Sequence, residues 1–157
     1  VTVHELGALR FEPENLIFLA DMQERAGELA AAAETASRAV ASLRAGTSQT
    51  FVGPLVLAIS ARIADGEAAQ RTLLAEAESL LAGNALAHNH FYVRREGIDL
   101  GWIWRDAAAI RQHAEALAAY ASEDVGPWSE FVLQRAEIMA HALDGSRDAG
   151  WRQRLAA

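Results

Sequence analysis

PLVLAISARIADGEAAQRTLLAEAESLLAGN, residues 54–84, is the stretch on which the fold turns. From Leu55 to Ile63 it is apolar on nearly every side, which predicts a helix buried among other helices. Asp65-Gly66 breaks that helix. Leu73, Leu74, Ala77, Leu80 and Leu81 then recur at helical spacing on one side, and Gly83-Asn84 closes the run. Two helices joined by a short polar break form a helix pair. Nowhere does the chain alternate apolar and polar residues cleanly enough for a half-buried strand, so the expected class is all-α.

The same unit recurs on either side. Pro13, Pro54 and Pro127 each stand before a helical pattern, and proline suits a first helical turn because its missing N–H would have no partner there. Pro13 and Pro54 are 41 residues apart, and Pro54 and Pro127 are 73 apart, close to two further periods. A fourth start is therefore expected near residues 88–91, with Asn89 as its N-cap. A period of roughly 35–45 residues belongs to helix-pair repeats.

In the first interval Leu16, Leu19 and Ala20 share a face, Gly27 loosens the chain, and Ala32, Ala36, Val40 and Leu43 form a second stripe ending near Arg44 and Gly46. In the third, Phe91, Ile98 and Trp102 make one stripe, Trp104-Arg105-Asp106 turns the chain with Asp106 as N-cap, and Ile110, Ala114, Leu117 and Ala121 make the next. In the fourth, Phe131, Val132, Ile138, Met139 and Ala142 are expected to face inward, and a short last helix to run over 147–155.

A lone amphipathic pair cannot bury both its faces, so pairs must stack. The expected architecture is a right-handed α-α superhelix of about 3.5–4 antiparallel helix pairs over residues 12–157, with residues 1–11 as an N-terminal arm or cap. A compact helical bundle is the alternative.

Composition narrows the function. The formal charge of −7 disfavours nucleic-acid and acidic-membrane surfaces, which need clustered cations. Absence of cysteine removes disulfide and thiolate chemistry and fits a reducing, cytoplasmic setting. Lysine is absent too, which leaves no phosphate-binding Gly-x-x-x-x-Gly-Lys-Ser/Thr loop and hints at a GC-rich bacterial gene. No apolar run nears the ~20 residues of a membrane span. The start lacks a signal-peptide pattern, and because it is Val1 and not Met, a longer parent chain is expected.

The residues that could contact a partner cluster in the third interval. His88, Asn89, His90, Tyr92, Arg94 and Arg95 gather near one helix start, and Trp104 and Trp128 sit at helix ends. Arg94 and Arg95, with Tyr92, suit an anionic ligand or a partner's carboxylates; an equally good reading has one of them paired with Glu96, Asp99 or a neighbouring repeat. Trp102, Trp104 and Trp128 are expected to lock repeats together unless exposed, in which case they are contact hot spots. His88 and His90 diverge by about 200° on a helix and cannot share one ion. His90, His113 and His141 lie on three expected helices; a bundle could gather them about a metal. Ser60 and Ser129 lack a nucleophile elbow.

Leu19-Ala20 through Ala26-Gly27 to Ala32 and Ala39 resembles a degenerate tetratricopeptide repeat. Phe51-Val52-Gly53-Pro54-Leu55-Val56-Leu57, Ala87-His88-Asn89-His90-Phe91-Tyr92-Val93-Arg94-Arg95 and Pro127-Trp128-Ser129-Glu130-Phe131 resemble segments in the C-terminal helical repeats of large bacterial signalling proteins. Class III adenylate cyclases and maltose-activator-like, ATPase-linked transcription regulators are among these. The likeness covers roughly residues 12–145. It implies a sensor or docking region, with catalysis and DNA binding elsewhere in a parent chain.

The expected function is thus a non-catalytic protein-interaction or scaffold module, without a cofactor of its own. It would engage a protein or peptide, or other domains of its parent, and self-associate through the Trp151 end if that face is left uncapped. The alternative is a metal-dependent enzyme or small-ligand bundle using His90, His113 and His141.

Overall fold

A computed structural model describes residues 11–46, 49–82, 86–121 and 126–145. Among them the chain is all helical: α1 Glu12–Arg25, α2 Leu29–Ala45, α3 Gln49–Ile63, α4 Glu67–Leu81, α5 Ala87–Ile103, α6 Ala107–Tyr120 and α7 Pro127–Leu143. No helix among the described residues is long and apolar enough to cross a membrane. Two compact units divide between Glu96 and Gly97, within α5. The N-terminal arm and the short final helix expected from the sequence fall outside the described residues, as do Gly83 and Asn84.

In the first unit α1 packs on α2, α3 packs on α4, and α3 also touches α1 and α2. The Ser42 hydroxyl near the end of α2 donates to the Glu12 carboxylate at the start of α1, 2.7 Å away, so the two run antiparallel. Buried Ala32, Ala36, Ala39 and Leu43 line the inner face of α2, as the periodicity predicts. On α1 the buried stripe is Pro13, Ile17 and Ala20, whereas Leu19 turns outward at 49% exposure. Gly27 and Gly66 have φ of 82° and 85°. At Gly27 this left-handed step lets the N–H groups of Gly27 and Glu28 reach back to the carbonyls of Glu24 and Gln23, closing α1.

α3 is the core. Val52 to Ala61 is buried without interruption, as its all-round apolarity predicts. Its start is different from expectation. Pro54 lies inside the helix, which begins five residues earlier, at Gln49. Proline there removes the N–H that would bond to Thr50. Burial on every side outweighs that loss, which a proline-as-start rule does not weigh.

Asn89 also departs from expectation. It is the third residue of α5, not its cap. Its amide Nδ2 donates to the Phe51 carbonyl at 2.9 Å, joining the starts of α5 and α3.

In the second unit α6 packs on α7. Pro127 opens α7 and Asp106 caps α6, both as expected; the Asp106 carboxylate accepts from Ala109 N–H at 2.9 Å. Asp106→Ala should cost about 1 kcal/mol in denaturant unfolding, and a loss below a few tenths would show the cap to be idle. Ile110 and Leu117 are buried on α6. On α7 the buried stripe is Val132, Ala136 and Ala140. Phe131 (55% exposed) and Ala142 face outward, against the expected set, because small alanines and not the aromatic occupy the contact with α6.

α5 meets α6 through glycine. A Cβ on Gly97 would lie 2.5 Å from the ring of buried His113, and one on Gly101 would lie 2.8 Å from Ile110 Cγ1 and 3.0 Å from its backbone nitrogen. Two glycines four apart on one face therefore allow α6 to approach α5 closely.

Candidate functional site

The strongest polar arrangement of the first unit centres on Arg62. Its guanidinium reaches Asp21 and Glu24 on α1, and its Nε donates to Glu96 on α5 at 2.7 Å. Arg62 and Asp21 side chains are 15% exposed and Glu96 is 1% exposed. Arg95 also holds Glu96, and its guanidinium lies 4.9 Å from the centre of the Tyr92 ring. Tyr92 in turn meets Phe18 and Phe91 edge to face. Arg62, on α3, thus ties α1, α3 and α5 together. A fixed guanidinium fork suits this task because it offers donors in several directions at once.

Arg94 pairs with Glu78 on α4. Arg94 and Arg95 therefore each hold a carboxylate within the fold. His88 is exposed. His90 is partly covered, and burial, then the nearby Arg94 charge, holds its imidazole below the ordinary value of 6.5. The unfolded chain thus binds this proton more readily. His90 leaves stability untouched at higher pH and lowers it as pH falls below the unfolded value toward the folded one. Thermal unfolding followed from about pH 8 to about pH 5 should show the parent chain losing more Tm than His90→Asn; equal losses would remove this role.

The tryptophans divide. Trp104 is partly buried beside the α5–α6 turn, while Trp128 is 77% exposed and Trp102 42%. Trp128 does not lock helices together: it leads α7 into solvent with Phe131 one turn on, an exposed aromatic pair.

Among the described residues no group of three or more histidine and acidic side chains could hold an ion. His90 lies in the first unit, and His113 and His141 in the second. His113 is buried against Gly97, and His141 is half exposed and only loosely near Glu137, at 3.9 Å.

Sequence reading missed two features: the Arg62 centre and a trough between α2 and α4. The trough encloses about 440 Å³ over the Ser60 end of α3, and Ser60 is 4% exposed with no hydrogen-bond partner for its hydroxyl. The available signal was Ser60 and Arg62 themselves, polar residues at the end of an otherwise apolar helix.

Comparison with protein-family models, with curated proteins and with solved structures finds no match.

Proposed function

We propose that this chain is a stack of antiparallel helix pairs, similar to tetratricopeptide repeats, that serves as a non-catalytic docking module of a larger bacterial signalling or regulatory protein. One observation carries the reading. Bonds between α1 and α3, α3 and α5, and α5 and α7 all fall within one band of 34–41 residues: Asp21 and Glu24 to Arg62 at 41 and 38, Phe51 to Asn89 at 38, Arg62 to Glu96 at 34, and Asp99 to Arg135 at 36. A repeat produces that constancy, because equivalent positions on neighbouring pairs meet; an irregular bundle has no reason to. Large apolar side chains left outside the core support the docking role: Met22 and Leu29 in the first unit, Trp128 and Phe131 in the second.

The test is co-purification from a bacterial host with the tagged chain, followed by direct binding of the recovered protein to the purified chain. A partner whose affinity falls about tenfold or more with Trp128→Ser or Phe131→Ser supports the reading. The same variants should stay within about 0.5 kcal/mol of parental stability, since they alter exposed positions. A chain that retains only small molecules and no protein would overturn it.

A further inference from the structure

We infer that the outward apolar stripe of α7 pairs antiparallel with the same stripe of a second copy of this chain. The proposal rests on the docking reading above, from which it takes the exposed aromatic face, and it names what occupies that face.

Trp128, Phe131, Arg135, Ile138 and Ala142 recur at spacings of three, four, three and four, which on a helix is one seam. The residues that α7 buries, Val132, Ala136 and Ala140, form a second stripe about a third of a turn round the helix. One helix thus carries two apolar stripes, and the fold buries only one of them. On the other, Trp128 is 77% and Phe131 55% exposed, Ile138 is half-buried and Ala142 is exposed. An aromatic pair standing on an open seam is the kind of surface that association covers.

The order of sizes along the seam selects the partner. The apolar members run from the largest side chain, Trp128, through Phe131 and Ile138, to the smallest, Ala142. Reversed, that order is its own complement. About a two-fold axis at Arg135, Trp128 meets the partner's Ala142 and Phe131 meets the partner's Ile138. A two-fold interface requires such self-complementarity, because each residue sees the same surface from the other side. Two parallel copies would instead set tryptophan against tryptophan and leave a gap at the alanines.

The charges fit the same reversal. Arg135 stands at the axis, where two cations would meet, but Asp99 holds each guanidinium at 2.6 Å and offsets its charge. On the exposed rim beside the seam, Glu130 lies near one end and His141 near the other, so each comes beside its opposite on the partner. Glu130 accepts from Gln134 at 3.2 Å, and His141 is 3.9 Å from Glu137, too far for a hydrogen bond. The charge of −7 on each copy opposes the pairing at long range. Two such seams hide on the order of 1,000 Å² in total, at the small end of specific interfaces, so the pair is weak, with a Kd of about 1–100 μM.

The test is sedimentation of the complete chain at concentrations that bracket this Kd. Dimer should form across the range and strengthen with added salt, because screening weakens the repulsion between two negative chains. Ala142→Trp, which sets bulk against bulk, and Trp128→Ala should each weaken the dimer by about tenfold or more with unchanged circular dichroism. The double variant Trp128→Ala with Ala142→Trp exchanges the large and small ends, and should pair within a few-fold of the parent. His141→Glu, which faces the partner's Glu130, should weaken pairing a few-fold. Because the chain has no cysteine, single cysteines report the geometry. Gln134→Cys, next to the axis, should form a disulfide-linked dimer on oxidation. His141→Cys, about 18 Å from its own counterpart, should not.

A chain that stays monomeric at the highest concentration overturns the pairing. If a co-purified protein then binds it and is lost with Trp128→Ser, the stripe is a docking face for another protein, and the reading above survives without its self-pairing. A double variant as weak as the single ones, or His141→Cys linking as readily as Gln134→Cys, means a dimer formed by another surface or in parallel, and equally overturns it. So does a dimer that salt dissolves, since charge and not the seam then holds it. The expected pairing with no foreign protein recovered upholds the inference and confines the docking role to copies of this chain.

Discussion

Replacing Arg62 by alanine should destabilise the first unit by about 3–5 kcal/mol, the largest loss expected from any single truncation of a charged residue in this chain. The reason is what remains behind. Asp21, Glu24 and Glu96 converge on the guanidinium, and Glu96 is 1% exposed. Without Arg62, Asp21 and Glu24 face Glu96 across an uncompensated gap, with only Arg95 still holding Glu96 and Arg25 still holding Asp21. Water cannot easily reach Glu96 to replace the lost donors, so the desolvation of that carboxylate is no longer offset.

Urea unfolding by circular dichroism measures the effect. Arg71→Ala is the control, because Arg71 meets Glu67 within one helix and both are about half exposed. It should cost less than about 0.5 kcal/mol. If the two variants lose the same small amount, the Arg62 centre is solvated and does not bind its helices together.

Gly97→Ala should cost the second unit about 2–3 kcal/mol, against the usual gain of about 1 kcal/mol for alanine over glycine in a helix. The added methyl would sit 2.5 Å from three atoms of the His113 ring. That ring is 4% exposed, so it has little room to swing away. Either α6 moves off α5 or the imidazole leaves a favoured rotamer. The discriminating measurement is the double variant Gly97→Ala with His113→Ala. Removing the ring opens a cavity by itself, yet it also receives the new methyl, so the two losses should combine to clearly less than their sum. Strict additivity would mean that the close contact between α5 and α6 is not what Gly97 provides.

Both predictions concern features that the sequence displayed without announcing. A mid-helix Gly-x-x-x-Gly at residues 97–101 is visible in the letters, but its use depends on which helix comes to that face. Arg62 reads as the polar end of an apolar helix; its three acceptors are 34, 38 and 41 residues away. Pairwise chemistry over such distances is settled by which helices become neighbours. Arg94 and Arg95 were better placed for prediction, since acidic partners stand close by in sequence or one helix earlier, and they do pair with Glu78 and Glu96. The trough was the hardest to foresee. A run of alanines on α2 signals close packing as readily as empty space, and the difference lies in whether α4 leans across it.

Local physics gave the helices themselves. The breaks at Gly27 and Asp65-Gly66, the Asp106 cap, the Pro13 and Pro127 starts and the buried length of α3 all follow from backbone preference and hydrophobic period, properties of residues a few positions apart. Where tertiary contact competed with a local rule, contact won. Pro54 lies within a helix because burial on every side exceeds one lost hydrogen bond; Asn89 bonds to Phe51 across helices instead of capping its own; Phe131 faces water because alanine fits the α6 contact better. Sequence alone therefore determined where helices form, because that depends on short-range periodicity. The tertiary arrangement decided which charges meet and which space stays open, because both depend on the spacing between helices that no local pattern encodes.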